Sequence, residues 1–278
     1  MPTIESTPLP NGLGARVYYD PARAPNADEV RTLAALFTRH QLLLFQPTQL
    51  NVQQLADFAS AFGKPDDRHG RLATAIEIAG VRIVENVEQG SAGPRGSSEL
   101  YWHSDRFFNP VAAGLLYADV VPEEGGDTSF ADMYAALAAL PPSLAKAIEG
   151  RRIKQDVVFD AQGRPGMRPV GQLIDDVVTS PGIETDIVQR HPRSGRPFLY
   201  LGNRQNSHIV GLSLDESESL LDDLYAHAGQ ARFHYRHHWQ AGELILYDNR
   251  CCMHRREEFD ARAARRLFAA VVDTSEVL

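Results

Sequence analysis

The order of apolar and polar positions predicts helices near the start of the chain and mostly strands after it. Residues 26–40 repeat apolar positions at helical spacing, and Asn26 stands where a capping side chain is needed. A second helical pattern covers residues 51–62 and ends at Gly63. Between the two helices, residues 42–45 form a short run that is entirely apolar, which is typical of a strand buried on both faces.

The remainder of the chain shows short apolar runs separated by turns rich in glycine and proline. Strands are predicted at residues 17–19, 75–78, 81–87, 112–121, 187–191, 198–201, 233–239, 243–247 and 267–272, with a further strand opening at Thr128. Helices are predicted at residues 133–140 and 143–148, and after a capping box at 213–216. So many short strands with few helices favour a mainly β protein with flanking helices, built as an antiparallel double-sheet jelly roll.

One segment departs from this regular pattern. Residues 154–185 lose all periodicity and are rich in glycine and proline, which is typical of a functional or mobile segment inside a domain. We interpret this segment as a lid over a pocket, with simple disorder as the alternative. No linker-like stretch divides the chain, so we expect residues 1–278 to form a single domain.

Composition narrows the classes of partner and compartment. The formal net charge of -8 argues against nucleic acid or an anionic membrane as a partner, because both require a basic face. No apolar run approaches the roughly 18 residues needed to span a bilayer, and the first residues lack a leader pattern, so we expect a cytoplasmic protein. Homo-oligomers are common among soluble enzymes, but the sequence does not reveal the oligomeric state. The cysteines, Cys251 and Cys252, are neighbours and are expected to be reduced thiols and not metal ligands.

Three distant side chains could form a metal site. His103 and Asp105 stand two positions apart, and residues at that spacing in extended backbone point to the same face. With His254 as a third ligand, the set matches the two-histidine, one-carboxylate triad of non-haem iron oxygenases, which leaves coordination sites open. A His-x-Asp triplet is also frequent by chance. A rival cluster occurs on the strand at 233–239, where His234 and His238 share one face and His237 takes the other, without an accompanying carboxylate.

Several motifs in order resemble a known family. The segments are Trp102-His103-Ser104-Asp105, residues 124–128 (Glu-Gly-Gly-Asp-Thr), residues 242–250, His254 and Arg265-Arg266-Leu267. Together they are similar to the signature series of the taurine dioxygenase and 2,4-dichlorophenoxyacetate dioxygenase family. The resemblance implies a double-stranded β-helix that uses Fe(II), 2-oxoglutarate and O2, with iron held by His103, Asp105 and His254.

The resemblance also implies a site for the distal carboxylate of 2-oxoglutarate. Thr128 and one arginine of the pair Arg265 and Arg266 would bind it, and a guanidinium and a hydroxyl suit a carboxylate. The family arginine is the second of its triplet, which favours Arg266, but one extra residue after His254 keeps Arg265 open. Strand alternation allows only one of the two to face inward. The neighbouring arginines are interpreted as a solvated surface cluster, namely Arg255, Arg256 and Arg262.

The resemblance leaves the substrate open. Members that use sulfonates or carboxylates carry a further arginine four residues after the cosubstrate arginine, but this chain has Ala270 or, in the other register, Ala269. Taurine is therefore not the expected substrate. A different small molecule would lack an acid at that place or be held by another cation. The candidate cations are Arg106, Arg168 and Arg204, and Tyr101 and Glu99 are further candidates at the mouth of the site, although Glu99 also suits a solvated loop.

The expected function is therefore a dioxygenase that oxidises a small organic substrate, most simply by hydroxylation, while 2-oxoglutarate is decarboxylated to succinate. Two other classes remain compatible with a three-ligand site. A zinc hydrolase also needs three ligands and an open position, and a jelly-roll binding module could carry the triad without catalysis. Neither alternative explains Thr128 together with the late arginine pair.

Overall fold

This computed structural model describes residues 4–65, 80–86, 96–107, 111–155, 182–204 and 207–278. Among these residues there are four β-sheets, and the two largest, of eight and four strands, face each other. The strands are β1 (Glu5–Pro8), β2 (Ala15–Tyr18), β3 (Leu42–Phe45), β4 (Lys64–Pro65), β5 (Val81–Glu85), β6 (Leu100–His103), β7 (Ala113–Val120), β8 (Thr128–Asp132), β9 (Arg152–Gln155), β10 (Ile183–Asp186), β11 (Val188–Arg190), β12 (Pro197–Leu199), β13 (Ser207–Ile209), β14 (His234–His237), β15 (Leu244–Asp248), β16 (Cys252–Arg256) and β17 (Arg266–Thr274). The helices are α1 (Ala27–His40), α2 (Val52–Ser60), α3 (Met133–Ala138), α4 (Pro142–Ile148) and α5 (Leu214–Ala228).

The larger sheet is the scaffold. Within the described ranges its strands run in the order β1-β2-β3-β15-β7-β17-β4, and β5 also pairs with β17. All its neighbours are antiparallel except β2 and β3. Because β3, β15 and β7 have neighbours on both sides and are covered on both faces, their residues are almost continuously apolar, as the run at 42–45 predicted.

The smaller sheet contains both candidate metal-binding histidines, His103 and His254. It has the order β14-β8-β16-β6, with antiparallel pairing throughout. Side chains of both sheets meet in a buried core, which includes Phe130 and Cys252 from the smaller sheet and Leu44, Tyr247 and Leu267 from the larger one. This sheet-on-sheet packing is the predicted jelly roll.

Helices cover the outer faces of the sheets. α1 and α2 pack on the larger sheet through Phe37 and Phe58, and both helices begin at an asparagine capping box, at Asn26 and Asn51. α3 and α5 pack on the outer face of the smaller sheet, where Met253 joins their core. The two sheets are thereby held from both sides.

Some predicted boundaries differ from the structure. The chain begins with a pair of strands, β1 and β2, instead of one edge strand, and α2 ends at Ser60, before the predicted end. The ends of the predicted lid are ordered: β9 and β10 pair with each other, so the irregular interpretation is wrong for residues 154–155 and 183–185. The rest of that interpretation, apart from Gly182, concerns residues 156–181, which lie outside the described residues, as does the predicted strand at 75–78.

In the described parts of the chain, none of the helices combines the length and apolar character that crossing a membrane requires.

Candidate active site

Strand pairing brings the two distant histidines together. β6 and β16 are antiparallel neighbours in the smaller sheet, and His103 lies directly opposite His254. Directly opposed residues on such strands project to the same face. The centroids of the two imidazole rings are 4.2 Å apart. The His254 ring also packs against Phe130 and Tyr247, so it faces the space between the sheets.

Asp105 completes the group from the turn that follows β6. The side-chain amide of Asn249 fixes this turn: the Asp105 N–H donates to Asn249 Oδ1 at 2.7 Å, and Asn249 Nδ2 donates to the Asp105 carbonyl at 2.8 Å. Asp105 Oδ2 lies 4.0 Å from His254 Nε2. Searched over the described residues, one ligand atom from each of His103, Asp105 and His254 lies within 4.8 Å of the others. The structure therefore assembles the three side chains that the sequence singled out.

The two imidazoles are placed to bind a metal ion. His103 Nδ1 lies 2.8 Å from the Tyr101 carbonyl oxygen, which can only accept, so Nδ1 is the donor and Nε2 is the nitrogen left for a metal ion. Burial, together with the nearby His103, lowers the pKa of His254 to about 3, so its ring is neutral at pH 7. Neutral imidazole is the form that binds a metal ion.

The carboxyl group of Asp105 is held ionised. Burial alone would raise its pKa, but Arg82, the two histidines and a hydrogen bond from Tyr247 outweigh burial and hold the pKa well below its usual range. Tyr247 donates its hydroxyl proton to Asp105 Oδ2, and burial together with that carboxylate raises the pKa of Tyr247 well above its ordinary value. Two imidazoles and one carboxylate, gathered in one place, form the donor set that fits ferrous iron with open positions.

A buried hydroxyl and a buried guanidinium lie beside one turn, at Thr128 and Arg265. Thr128 opens β8, is 2% exposed, and accepts a hydrogen bond from Trp239 Nε1 at 2.9 Å. Arg265 immediately precedes β17 and is also 2% exposed. Its Nε and Nη2 donate to the Gly126 carbonyl oxygen at 3.2 and 3.0 Å, which places its guanidinium beside the turn that leads into Thr128.

Gly126 is required by this close approach. Its φ of +70° lies in the left-handed region, and a Cβ built there would stand only 3.0 Å from Arg265 Nε. Burial is the main cause that lowers the pKa of Arg265 to about 9, and repulsion from Arg256 adds to it. A guanidinium held in this way is stabilised by an incoming carboxylate, so the pocket suits the far end of a dicarboxylic acid.

The structure turns Arg265 inward and Arg266 outward, so the preference for Arg266 as the inward residue was wrong. Arg266 Nε donates to Asp119 Oδ2 at 2.6 Å, and its side chain is 37% exposed. The alternation argument was sound, since the two guanidiniums do point to opposite faces.

The interpretation of three neighbouring arginines as solvated was wrong for one of them. Arg256 is 5% exposed, lies directly opposite Thr128 in the pairing of β16 with β8, and donates through Nη2 to the carbonyl oxygens of Gly96 and Ser98. Arg262 is exposed and pairs with Asp260. Arg255 is partly exposed and lies over the ring of Trp102.

The residues suggested for substrate binding are dispersed. Arg204 is committed to α5, where its guanidinium pairs with Glu218 and Asp222, so it does not face the site. Glu99 pairs with Arg255 at 3.2 Å. Tyr101 is 54% exposed at the mouth, and Arg106 lies in the turn after Asp105 with a φ of +54°. Arg168 lies outside the described residues.

The rival histidine cluster does not assemble. His237 Nε2 lies 3.0 Å from Glu243, His238 Nδ1 lies 2.9 Å from Asp127, and His234 contacts the Ala228 carbonyl oxygen. None of them belongs to the ligand group found among the described residues. Both cysteines are buried free thiols outside that group, as the sequence indicated.

Sequence reasoning missed three residues that support Asp105. Tyr247 and Asn249 stood inside a quoted motif but received no role, and their contacts with Asp105 require the tertiary fold. Arg82, whose Nη2 lies 3.0 Å from Asp105 Oδ1, was not among the predicted site residues. The available signal was an arginine between the apolar residues Val81 and Ile83 of that strand.

Comparison with known proteins agrees with this geometry. The model of the family described as "Taurine catabolism dioxygenase TauD, TfdA family" matches residues 5–271. The chain is 34% identical over 261 residues to the alpha-ketoglutarate-dependent 2,4-dichlorophenoxyacetate dioxygenase of Cupriavidus pinatubonensis, covering 89% of this chain and 90% of that protein. It is 30% identical over 276 residues to the (S)-phenoxypropionate/alpha-ketoglutarate-dioxygenase of Delftia acidovorans, covering 95% and 92%.

Solved structures lead to the same conclusion. The crystal structure of AAD-2 in complex with Mn(II) and N-oxalylglycine superposes with a TM-score of 0.80 at 27% identity, covering 99% of this chain and 98% of that chain. Neither the zinc hydrolase nor the binding module receives support from these comparisons. The chain therefore belongs to the TauD/TfdA family, and it is a dioxygenase that depends on Fe(II), 2-oxoglutarate and O2 and acts on a small organic substrate.

Proposed function

We propose that this dioxygenase hydroxylates its substrate beside an iron ion held by His103, Asp105 and His254. The observation that carries the proposal is the convergence of their ligand atoms within 4.8 Å. The fit is chemical as well as geometric, because His254 is neutral and Asp105 is ionised. Bound iron and 2-oxoglutarate supply the oxidising chemistry, in which 2-oxoglutarate is decarboxylated to succinate.

We further propose that Arg265 and Thr128 bind the distal carboxylate of 2-oxoglutarate. Both side chains are buried, and both lie by the turn that ends at Thr128. A charge-assisted pair with Arg265 and a hydroxyl donor from Thr128 would fix one end of the cosubstrate, so that its other end is directed toward the ligand group. The hydrogen bond from Trp239 holds the Thr128 hydroxyl oxygen in place.

The remaining contributions of the protein are orientation and exclusion of water. Asn249 fixes the backbone of Asp105. Tyr247 keeps its hydroxyl proton and donates it in a hydrogen bond that fixes one oxygen of the Asp105 carboxylate. The Tyr101 carbonyl fixes the ring of His103. Supports of this kind hold ligands in the geometry that a metal needs. The apolar contacts around His254 keep the inner side of the site dry.

The ligand assignment is tested by anaerobic dialysis against Fe(II), followed by assay of oxygen-dependent succinate formation with 2,4-dichlorophenoxyacetate as a trial substrate. Asp105→Ala should bind no stoichiometric iron and form no succinate, because it removes the only carboxylate of the triad. Asp119→Ala is the matched control, since it removes an aspartate that pairs with Arg266 outside the site. Iron binding and turnover retained by Asp105→Ala would refute the assignment.

A further inference from the structure

The turn between two of the proposed iron ligands is supported at its middle residue. His103 ends β6 and Asp105 follows two residues later, so the backbone at Ser104 sets the distance between the two ligands. The Ser104 N–H donates to the Gly202 carbonyl oxygen at 2.9 Å, and His103 forms an isolated antiparallel bridge with Asn203. The segment at residues 201–203 therefore supports the turn from outside the triad.

One buried side-chain amide holds this supporting segment. Gln155, the last residue of β9, is fully buried. Its Nε2 donates to the Leu201 carbonyl oxygen at 2.7 Å and to Ser207 Oγ at 3.0 Å. Its Oε1 accepts from the Asn203 N–H at 3.1 Å. Both ends of the segment are thus tied to the same side chain, on either side of Gly202.

The backbone of Gly202 packs directly against this amide. Gly202 has a φ of +67°, in the left-handed region, and a Cβ built there would overlap the side-chain amide of Gln155. The Leu201 carbonyl oxygen also accepts from the Tyr225 hydroxyl at 3.0 Å, so the segment is anchored from α5 as well. A change in the Gln155 amide would therefore move the carbonyl oxygen that the Ser104 N–H contacts.

We propose that Gln155 is a positioning residue for the iron site. It acts through Gly202 and Ser104, which fix the path of the backbone between His103 and Asp105 and so the separation of these two ligands. Groups that orient metal ligands contribute to metal affinity, although they do not bind the metal ion themselves. The inference rests on the proposed function, because it takes His103 and Asp105 as ligands.

A purely structural role for Gln155 is the alternative, and the chain offers a control for it. Ser217 is also fully buried, and its Oγ accepts from the Ile209 N–H at 2.8 Å. Ile209 lies on β13, which pairs with β9 in the same three-stranded sheet as Gln155. Loss of the Ser217 hydroxyl should destabilise this sheet and leave the contacts of Gln155 with residues 201–203 in place.

The test separates metal affinity from stability. Thermal unfolding is measured first for the metal-free full chain of wild type, Gln155→Met, Ser217→Ala and Gln189→Met. Gln189 is a surface control, because its Nε2 donates to the Asp186 carbonyl oxygen in an exposed hydrogen bond. Each protein is then titrated calorimetrically with Mn(II) at a temperature where all are folded, and the electron paramagnetic resonance spectrum of the bound Mn(II) is recorded.

We expect Gln155→Met to weaken Mn(II) binding by about 10-fold and to change the spectrum of the bound ion, because the ligand turn loses its support. Ser217→Ala should lower the melting temperature, since a buried N–H loses its acceptor, but should change the Mn(II) dissociation constant by less than about threefold. Gln189→Met should match wild type in both measurements.

Equal Mn(II) affinities in Gln155→Met and wild type, or an equal loss in Ser217→Ala, would overturn the positioning role and leave the proposed function intact. If Gln155→Met does not fold, Ser207→Ala removes one partner of the same amide and should weaken Mn(II) binding more than Ser217→Ala does. Equal affinities in that pair would overturn the role as well. A wild type that does not bind Mn(II) would contradict the proposed function and this inference with it.

Discussion

Arg265 and Arg266 are neighbours in the chain but occupy opposite surroundings. Arg265 is buried, donates to the Gly126 carbonyl and has a pKa lowered to about 9 by burial. Arg266 forms an ion pair with Asp119 on the outer face of the sheet. A buried guanidinium is destabilised without a counter-charge, and a bound carboxylate would stabilise it. Of the two arginines, Arg265 is therefore the one that we expect to bind the cosubstrate.

The arginine pair therefore gives a matched test of the cosubstrate site. Arg265→Met should weaken binding of 2-oxoglutarate to the Mn(II)-loaded protein by about 10- to 100-fold, because a charged hydrogen-bonding partner of the distal carboxylate is lost. Arg266→Met should change the dissociation constant by less than about threefold, since it removes a surface ion pair. Calorimetric titration measures both, and a larger loss in Arg266→Met would reverse the assignment.

At the scale of single residues, the sequence predicted which residue types form the site better than it predicted which face of a strand each residue occupies. His103, Asp105 and His254 could be singled out because their chemistry is distinctive, and the structure brings them together. The choice between Arg265 and Arg266 depended on which face of the last strand turns inward. Leu267 and Ala269 belong to the core between the sheets, so alternation puts Arg265 on that face. Only the folded structure shows which face this is.

The connection between β15 and β16 is the element that delivers His254. At its start, Asp248 is 1% exposed and accepts hydrogen bonds from His191 Nε2 at 2.8 Å and from Arg250 Nη2 at 2.6 Å. Burial alone would raise the pKa of Asp248, but His191 and Arg250 outweigh it and lower the pKa. This buried network ties the turn to the strand pair β11 and β12, of which His191 is the direct continuation.

Removing the buried charge should destabilise this element strongly. Asp248→Asn should lower the free energy of unfolding by about 3 to 5 kcal/mol, because it leaves Arg250 buried without its partner. Asp260→Asn is the matched control: Asp260 also pairs with the arginine two residues later, but in solvent, and its loss should leave the urea midpoint unchanged. Urea unfolding of both variants measures the difference, and equal midpoints would contradict the account.

The same network predicts a pH dependence of known sign. Because the folded-state pKa of Asp248 is lowered below its ordinary 3.8, its contribution to stability is complete above that value and is lost as pH falls through the lower folded-state pKa. The difference in free energy of unfolding between wild type and Asp248→Asn should therefore become smaller only in strong acid. If urea unfolding shows that this difference already becomes smaller between pH 7 and pH 5, the assignment is contradicted.

Helices were easier to predict than strands at the scale of elements. Helical spacing predicted both α1 and α2, and Asn26 was the predicted cap of α1. The observed helices begin at Ala27 and Val52, and Asn51 also proves to be a cap. Strand ends depend on which neighbour a strand finds, as β9 and β10 show: each is ordered by the other, although the sequence between them is irregular. Local pattern carries no information about such partners.

At the scale of the whole molecule, the two facing sheets contribute different parts of the site. The larger sheet supplies the buried scaffold, the Tyr247 hydroxyl and the strand that carries Arg82. The smaller sheet supplies both histidines and Thr128. The architecture could be predicted from many short strands and from the order of the motifs, but the facing of the sheets, and hence the approach of Arg82 to Asp105, required the folded structure.

The most direct test is a crystal structure of the protein grown with Mn(II) and N-oxalylglycine. The account predicts one anomalous metal peak bound by His103, Asp105 and His254, with the distal carboxylate of N-oxalylglycine against Arg265 and Thr128. A metal bound without any one of those three side chains, or a carboxylate held by Arg266 instead, would contradict it.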